Sequence, residues 1–359
     1  MKNNSKIAII AGGTGGHIFP AISLLEQLID EKKEIIFFSD TRVKNIINEN
    51  RNLFKKKNVI FYSLKISRNF KDFFNFYKNF FTIFSLIKKN NPKIVIGFGG
   101  YTSIPFLLVS KILLKPIILH EQNIIPGLAN KLFFPFSKKI IYGWGDKNNN
   151  KINKKFFYIR NPVRKKILNL RKKVKFNRNE KKIIILIVGG SQGAVIFDNV
   201  IPESLNLLPY QIKKNIVVYH QCSKNNFEIV KKNYIKNKIK SICKPFFTNL
   251  PNIMFKSKLI ISRSGASTLS EIITLGKPSI LIPYKLAKNN HQEINARWLE
   301  KKKASAIILE DELTKESLRN KIMSFIKNKN KLKKMSKNSF SLGDDNSLLK
   351  LSKIIYENT

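Results

Sequence analysis

Lys6-Ile-Ala-Ile-Ile-Ala-Gly-Gly-Thr-Gly-Gly-His17 is a short apolar run that continues directly into a glycine loop. From Ile18 to Ile29 the apolar side chains recur at helical spacing. This order predicts a buried strand, a glycine loop and a helix. The same order returns in the middle of the chain, where Lys182–Val188 leads into Gly189-Gly-Ser-Gln-Gly193. Because buried parallel strands read as continuous apolar runs, the repeat predicts two similar α/β halves.

Further apolar runs fit strands of the same plan, with helical patterns between most of them, which predicts a doubly wound sheet in each half. These runs are Glu34–Phe38, Lys93–Gly97, Pro116–Leu119, Lys139–Tyr142, Asn215–His220, Lys258–Ser262 and Pro278–Ile282. Pro162 interrupts any helix where a strongly basic stretch begins, so we place the domain boundary there. The predicted domains are 1–163 and 164–338, and we expect the amphipathic helix at about 339–359 to pack back on the first.

Length and composition limit the number of domains and the classes of protein that this chain can belong to. A chain of 359 residues with 43% hydrophobic content is long enough for two domains, each with a core. Cys222 and Cys243 lack CxxC spacing, so we predict buried thiols rather than a disulfide scaffold or a zinc site. The N-terminus does not have the pattern of a signal peptide, and no uninterrupted apolar run is long enough to predict a spanning helix.

The net charge of +44 raises the possibility of a nucleic-acid-binding protein. Lysine greatly outnumbers arginine, and Asn, Ile and Phe are also abundant, a bias that A- and T-rich codons produce by themselves. Arginine forks, which read bases and phosphates, are not clustered. The charge therefore predicts attraction to anionic surfaces, including anionic lipid, rather than nucleic-acid binding.

The two glycine loops are candidate anion sites. A glycine loop that opens a helix presents backbone N–H groups and the positive end of the helix dipole. One such loop is weak evidence, because a tight turn explains it as well, but two loops in matched contexts favour a ligand. Neither loop reads GxGxxG, and we find no acidic residue placed to bind a nicotinamide ribose after the first, so a dehydrogenase is disfavoured.

Seven motifs occur in an order that resembles the MurG family of glycosyltransferases, in glycosyltransferase family 28, over nearly the whole chain. They are Gly12-Gly-Thr-Gly-Gly-His17, Gly97-Phe-Gly-Gly-Tyr101, His120-Glu-Gln-Asn123, Asn161-Pro-Val-Arg164, Gly189-Gly-Ser-Gln-Gly193, Arg263-Ser-Gly-Ala-Ser-Thr-Leu-Ser-Glu271 and His291-Gln292. The resemblance implies an α/β protein of the GT-B fold, with two Rossmann-like doubly wound domains facing across a cleft. Any one of these motifs is weak evidence for a family, but the seven motifs in this order are specific for this one.

The resemblance also implies an activity: inverting, metal-independent transfer of N-acetylglucosamine from UDP-GlcNAc to the 4-hydroxyl of undecaprenyl-diphosphate-linked MurNAc-pentapeptide, lipid I. The product is lipid II for peptidoglycan synthesis, with consequences for cell shape and division. No cofactor is expected. The expected partners are UDP-GlcNAc, lipid I and an anionic membrane surface, with other cell-wall synthesis proteins as candidates. The expected location is peripheral, on the cytoplasmic face of the bacterial inner membrane.

By resemblance, the donor is held mainly by the second domain. The implied contacts are Arg164 and Ser191 with the donor phosphates, Gln292 and Asn123 with the sugar, and the Phe247 backbone with uracil, where the family usually has isoleucine. We predict that residues 264–267 form a loop and that a helix starts at Thr268, so that Ala266, Ser267, Thr268, Leu269 and Ser270 face the nucleotide diphosphate. Glu271 is suited to accept two ribose hydroxyls, and the alternative is a glutamate that only stabilises the helix start.

The acceptor is expected at the first glycine loop, on Thr14, Gly15 and Gly16. The positive helix end disfavours an imidazolium, so we expect a neutral His17 that serves as general base. The alternative is a hydrogen-bonding residue of a phosphate loop. Glu121 is the second candidate catalytic residue, either orienting His17 or binding acceptor hydroxyls. No DxD pair and no metal-ligand spacing is readable, so the diphosphate leaving group is expected to be stabilised by helix ends and Arg164.

An aromatic stripe at helical spacing begins at Phe70 and includes Phe74 and Phe81, with lysines on its flanks. One interpretation is a helix that faces the core. We favour a helix that lies on the membrane, with its apolar face among the headgroups and its lysines on anionic lipid. Ile112, in a short apolar run between two lysines, is expected to join this contact.

Two rival functions remain open at this stage. One is a related lipid glycosyltransferase with another acceptor, or a UDP-GlcNAc epimerase on the same fold. The other is a basic nucleic-acid-binding protein, which predicts steeply salt-dependent DNA affinity and no use of UDP-sugars.

Overall fold

The strands of the chain form two parallel sheets. The computed structural model describes residues 5–66, 73–145, 154–176, 182–190 and 193–359, with the backbone alone at 73–76. In chain order the strands are β1 Ile7–Ile10, β2 Ile35–Asp40, β3 Val59–Leu64, β4 Ile94–Gly97, β5 Ile117–Glu121, β6 Lys139–Tyr142, β7 Phe156–Tyr158, β8 Ile183–Val188, β9 Ile216–Gln221, β10 Lys240–Lys244, β11 Leu259–Ser262, β12 Ser279–Leu281 and β13 Ala306–Ile307.

Both sheets are doubly wound. The first has the order β3-β2-β1-β4-β5-β6-β7 and the second the order β10-β9-β8-β11-β12-β13. From β1 the chain therefore adds β2 and β3 on one side of the sheet and then places β4 on the other side of β1. Ile9 of β1 accordingly pairs with Phe37 of β2 and with Ile96 of β4. The same switch occurs between β8 and β11. Each predicted glycine loop follows the strand at such a switch point, which is where open α/β sheets bind ligands.

The helices lie between these strands, and in chain order they are α1 Gly15–Asp30, α2 Lys44–Glu49, α3 Arg51–Phe54, α4 Phe73–Asn90, α5 Ile104–Ile112, α6 Leu128–Phe133, α7 Lys165–Arg171, α8 Val195–Asn206, α9 Tyr210–Lys213, α10 Phe227–Lys236, α11 Leu250–Lys256, α12 Ala266–Thr274, α13 His291–Lys301, α14 Lys315–Lys327, α15 Lys329–Leu342 and α16 Ser347–Tyr356. Within the described part of the chain, none of them is long and apolar enough to span a membrane.

The chain divides into two compact units. Unit 1 comprises Met1–Lys165 and Asn346–Thr359, and unit 2 comprises Lys166–Asp345. The predicted helix at about 339–359 is in fact two helices. Gly343 ends α15, which packs on α12 in unit 2, and α16 begins only at Ser347. The expected start near 339 is therefore wrong, because the break at Gly343 separates two helical patterns that run together in the sequence.

Helix α16 packs on α1 in unit 1. Leu348, Leu351 and Ile355 are at most 2% exposed, so the amphipathic pattern of this helix is used for burial. The Glu31 carboxylate accepts hydrogen bonds from the Ser352 hydroxyl, at 3.2 Å, and from the Tyr356 hydroxyl. Apolar packing and partly buried polar contacts together fix α16 in unit 1.

Candidate active site

The first glycine loop lies at the switch point of the unit 1 sheet. It joins β1 to α1, and Thr14 is the extended residue that precedes the helix. Gly13 has φ +85°, which a residue with a side chain rarely adopts. A Cβ on Gly12 would lie 2.9 Å from Cβ of Asp40, so the loop is pressed against the end of β2. Thr14, Gly15 and Gly16 are therefore placed at a helix start, where backbone N–H groups bind anions.

His17 lies in the first turn of α1 and is half-buried. Its Nδ1 is 3.2 Å from the Thr14 hydroxyl. The ring also packs against the loop after β4, because a Cβ on Gly100 would meet Cε1 and Nδ1 at 3.2 Å. Gly100 has φ +78°, so both conformation and space require glycine there. The loops after the two strands at the switch point thus hold the imidazole between them.

The Glu121 carboxylate is buried and is engaged by its own segment of chain. Its Oε1 accepts from the backbone N–H of Asn123 at 2.9 Å and from Asn123 Nδ2 at 3.3 Å. Its Oε2 accepts from the Gly127 N–H and from Asn130 Nδ2, both at 2.9 Å. Four donors from residues 123–130 therefore surround one carboxylate. This geometry fits a residue that shapes the loop carrying Asn123 better than one that orients His17.

The strand predicted at Pro116–Leu119 ends two residues later in the structure, because β5 continues into the His120-Glu-Gln-Asn123 motif. Its first two residues are the last residues of the strand, and His120 is fully buried. The His120 ring stacks on Phe98 and its Nδ1 lies 3.0 Å from Gln122 Nε2. Burial lowers the pKa of His120 to about 3, so this imidazole is neutral near pH 7. His120 is a packing residue, and Asn123 is the half-buried member of the motif.

In unit 2, helix α12 begins at Ala266, with Gly265 as the residue before it, rather than at Thr268 as predicted. The extended conformation of Gly265 starts the helix two residues early. Within its first turns Ser267 and Thr268 are half-buried, while Ala266, Leu269, Ser270 and Glu271 are buried. Because Leu269 is 0% exposed, its side chain belongs to the core. Backbone groups here are therefore better placed than apolar side chains to meet a diphosphate.

Gln292 has a fixed orientation at the start of α13. Its Oε1 accepts from the backbone N–H of Ser264 at 3.2 Å and of Tyr284 at 3.1 Å. Because both partners are N–H donors, the oxygen of the amide must be the atom that faces them. The amide of Gln292 therefore links the loops after β11 and β12, and its remaining polar group is the NH₂ donor.

The other predicted donor residues are dispersed. The Arg164 guanidinium lies over the Phe19 ring, 5.4 Å from its centroid, within unit 1. Phe247, after β10 in unit 2, is 5% exposed and packs on Tyr219. Ser191 lies outside the described residues.

Asp40 is an acidic residue that sequence reasoning overlooked. It is the last residue of β2, where a dinucleotide-binding fold places the ribose-binding carboxylate, so the prediction that no acidic residue is placed there is wrong. Both of its oxygens are taken by the Arg42 guanidinium, at 2.6 and 2.9 Å. The carboxylate is therefore committed to an ion pair, and a dehydrogenase site gains no support from it.

A cluster of metal-ligand type lies in unit 2, which sequence spacing did not predict. Ligand-type atoms of Asp198, His220 and Cys222 lie within 4.8 Å of one another, and all three residues are buried. His220 Nδ1 is 3.0 Å from the Tyr234 hydroxyl, and Asp198 Oδ2 accepts from the Ser223 N–H at 3.2 Å. We interpret the cluster as a buried polar network that joins α8 to the end of β9.

The aromatic stripe of α4 divides between core and solvent. Ile83 and Ile87 are 0% exposed, whereas Phe81 is 60% exposed and Tyr77 51% exposed. Ile112, at the end of α5, is 50% exposed, and α5 packs on α4. The side chain of Phe74 lies outside the described residues. One face of α4 therefore packs on the core and another is exposed, with Phe81 of α4 and Ile112 of α5 on the exposed part, and the membrane contact stays a prediction.

Sequence reasoning missed an extension of this surface. Leu132 in α6 is 54% exposed, and Phe136 just after α6 is 47% exposed. The Lys111 ammonium lies over the Phe136 ring, which connects this segment to the end of α5. We call Tyr77, Phe81, Ile112, Leu132 and Phe136 the exposed apolar set of unit 1.

Comparison with known proteins identifies the family. A model described as the glycosyltransferase family 28 N-terminal domain matches residues 7–142, and one described as the C-terminal domain of that family matches residues 184–351. A Wolbachia protein named UDP-N-acetylglucosamine–N-acetylmuramyl-(pentapeptide) pyrophosphoryl-undecaprenol N-acetylglucosamine transferase is 34% identical over 97% of this chain and 98% of its own length. A protein of the same name from Rickettsia canadensis is 36% identical over 93% of this chain and 94% of its own length.

Solved structures agree with this assignment. The structure of Acinetobacter baumannii MurG superposes with a TM-score of 0.78 at 25% identity, covering 98% of this chain and 99% of that one. A putative UDP-N-acetylglucosamine 2-epimerase from Listeria monocytogenes, at 14% identity and a TM-score of 0.70 over 99% of this chain and 97% of that one, shares the fold alone. The expected α/β fold with two Rossmann-like domains and the resemblance to a glycosyltransferase family are confirmed. The chain therefore belongs to glycosyltransferase family 28, among the UDP-N-acetylglucosamine–N-acetylmuramyl-(pentapeptide) pyrophosphoryl-undecaprenol N-acetylglucosamine transferases.

Proposed function

We propose that this enzyme transfers N-acetylglucosamine from UDP-GlcNAc to the 4-hydroxyl of the MurNAc residue of lipid I, producing lipid II and UDP. The relatives that match almost its full length carry names that state this transfer. The observation in the structure that supports it best is His17, held between the Thr14 hydroxyl and Gly100 at the glycine loop. A fixed imidazole beside an anion-binding helix start suits an acceptor that carries both a diphosphate and a hydroxyl to be deprotonated.

In this proposal unit 1 is the acceptor half. The acceptor diphosphate binds at the loop around Thr14, Gly15 and Gly16. In this scheme Nδ1–H of His17 donates to the Thr14 hydroxyl, which leaves Nε2 to take the proton from the acceptor hydroxyl. Glu121 is not the base in this scheme. It holds the 123–130 segment, and through it the amide of Asn123, which meets the donor sugar.

Unit 2 is the donor half. The Glu271 carboxylate accepts the ribose hydroxyls, and the backbone around Phe247 meets uracil. The diphosphate lies at the starts of α8 and α12, near Ser191 and residues Ala266 to Ser270, with Arg164 as its cationic partner. Gln292 donates its NH₂ group to a hydroxyl oxygen of the sugar, since its own oxygen is engaged by two backbone N–H groups.

The proposed chemistry is a single inverting displacement. The acceptor oxygen attacks the anomeric carbon of the donor while its proton passes to His17, and the bond from that carbon to the UDP oxygen breaks. Negative charge develops on the leaving diphosphate, where helix starts and a guanidinium stabilise it. We propose that this stabilisation needs neither a metal ion nor a cofactor.

We propose that the enzyme works as a peripheral protein on the cytoplasmic face of the inner membrane. The exposed apolar set of unit 1 supports this, because exposed apolar side chains near lysines are typical of proteins that lie on anionic lipid. The lipid tail of the acceptor would remain in that membrane. Partners among other cell-wall synthesis proteins are part of the same proposal.

The test is incubation of the purified protein with radiolabelled UDP-GlcNAc and a short-chain lipid I analogue, with and without excess EDTA. Label in a disaccharide product, in both conditions, is the expected result. Epimerised donor without transfer would indicate the epimerase alternative, and transfer to a different lipid-linked sugar alone would indicate another acceptor. Salt-dependent DNA binding with no use of the donor would favour the nucleic-acid alternative.

A further inference from the structure

Arg42 has a side chain that is fixed on two sides. Its Nε donates to Asp40 Oδ1 at 2.6 Å and its Nη2 donates to Asp40 Oδ2 at 2.9 Å. The guanidinium also lies over the Tyr101 ring, 4.3 Å from the centroid. Asp40 is 1% exposed, so the anchor is rigid and buried. A two-point carboxylate fork and an aromatic face leave little freedom to this guanidinium.

The guanidinium lies beside the first glycine loop. A Cβ on Gly13 would be 3.5 Å from Arg42 Nη2, and a Cβ on Gly12 would be 2.9 Å from the Asp40 side chain. The ion pair at the end of β2 is therefore in contact with the backbone of the loop that opens α1. Any anion bound at this loop meets the positive helix end and a fixed cation together.

Part of the hydrogen-bonding capacity at this point is unused. Among the described residues Arg42 Nη1 has no hydrogen-bond acceptor, and the side chain is 34% exposed. Thr102 is 3% exposed, and its hydroxyl has no hydrogen-bond partner within the described part of the chain. That hydroxyl lies 3.8 Å from the Cβ position of Gly13. Arg42 and Thr102 therefore both place polar groups with unused hydrogen-bonding capacity beside the Cβ position of Gly13.

We infer that Arg42 is a binding residue for the diphosphate of the lipid-linked acceptor. It contributes a charge-assisted hydrogen bond from Nη1 while Asp40 and Tyr101 hold the guanidinium in place. This inference rests on the proposed function, because it assumes that the acceptor diphosphate binds at the first glycine loop. Guanidinium forks match phosphate oxygens in geometry, and a lysine at the same place would supply charge without the fork.

The experiment compares Arg42→Gln and Arg42→Lys with Arg51→Gln, a matched control that removes the same charge from an exposed arginine of unit 1. KM is measured separately for UDP-GlcNAc and for a short-chain lipid I analogue. We expect Arg42→Gln to raise the acceptor KM about 10- to 100-fold, because one charge-assisted hydrogen bond is lost. The acceptor KM of Arg42→Lys should lie between those of wild type and Arg42→Gln. The donor KM of both Arg42 variants, and both KM values of Arg51→Gln, should match wild type. Inhibition by inorganic pyrophosphate, competitive with the acceptor, should weaken by the same factor.

The outcomes separate the inference from the proposed function. If wild type transfers the sugar but Arg42→Gln has the acceptor KM of Arg51→Gln, Arg42 is not a binding residue and the function stands. If wild type transfers nothing, the proposed function fails, and calorimetric binding of pyrophosphate to wild type and Arg42→Gln decides whether the anion site exists. If Arg42→Gln fails to fold because Asp40 is left unpaired, the double variant Asp40→Asn, Arg42→Gln removes both charges. A normal acceptor KM in that folded variant would overturn the inference.

Discussion

Replacing Glu121 by Gln separates a structural role from a catalytic one. The carboxylate accepts four hydrogen bonds, two on each oxygen, and is 2% exposed. Whichever way the new amide turns, its NH₂ group faces two N–H donors, so two donors that are at least partly buried lose their acceptor. Each such loss costs about 1–3 kcal/mol, so the ordered 123–130 segment should be destabilised by about 2–6 kcal/mol. A destabilisation of about 2 kcal/mol, the lower limit, already raises the population of the open segment about 30-fold.

The assay is hydrogen exchange measured by mass spectrometry on peptides that cover residues 121–130, together with kcat and both KM values. We expect the exchange of this segment to accelerate, and the donor KM to rise because Asn123 loses its support. Glu26→Gln, at a half-exposed position of α1, is the control and should match wild type. A Glu121→Gln enzyme with wild-type exchange and a kcat reduced by orders of magnitude would refute this reasoning, because the carboxylate would then act on the substrate.

Four further predictions follow from the geometry. His17→Ala should lower kcat by about 10²–10⁴-fold with donor Kd preserved, as loss of a general base requires; if His17→Gln, measured by the same steady-state assay, restores most of the activity, His17 is only a hydrogen-bonding residue. The double variant Phe81→Ser, Ile112→Ser should sediment less with anionic vesicles, since each side chain buried in the membrane contributes about 1.5–3 kcal/mol, while transfer to a short-chain acceptor persists. Unfolding of this variant, seen by circular dichroism, would show that the two residues belong to the core. Glu271→Ala should raise the donor KM, since charge-assisted bonds contribute about 1.5–3 kcal/mol each; an unchanged donor KM would remove Glu271 from the site. Burial lowers the pKa of both His120 and His220 to about 3, below the unfolded value of 6.5, so the free energy of unfolding should fall as pH drops from about 6.5 toward 3, by at most about 2.7 kcal/mol per pH unit for the pair. Urea titrations in which wild type and His220→Asn lose equal stability over this pH range would contradict the assignment to His220.

Strands buried on both faces could be predicted because their apolar runs are continuous. All nine predicted strands occur, each with its ends within two residues of the expected ones. The strands that were missed are β3, β7, β10 and β13, which bury fewer of their side chains. β3, for example, has one buried residue, Val59, and its other five positions are half-buried or exposed. β3, β7, β10 and β13 lie at or near the sheet edges, where one-sided burial weakens the periodic signal.

Motifs located the site, but they did not assign roles to its residues. The glycine loops are local in sequence, and the structure has their described residues where expected, at strand ends and helix starts. The role of Glu121 depends on Gly127 and Asn130, which no motif connects to it. Arg42 was missed for a similar reason: its relation to Gly13 arises only when β1 and β2 pair side by side. Contacts between segments, rather than residue types, decide what these side chains do.

The placement of α16 has a consequence for the order in which a newly made chain can fold. Unit 2 is continuous, so all of its residues are available once Asp345 has left the ribosome. Unit 1 is made of residues 1–165 and 346–359, so α1 waits for the helix that covers it until residues 346–359 have been made. Domains normally fold in the order of synthesis, N-terminal first. Here unit 1 is completed only after unit 2. A product that stops short of residue 346 keeps every strand of the unit 1 sheet but leaves an apolar face of α1 uncovered, and the quality-control machinery of the cell can bind that face.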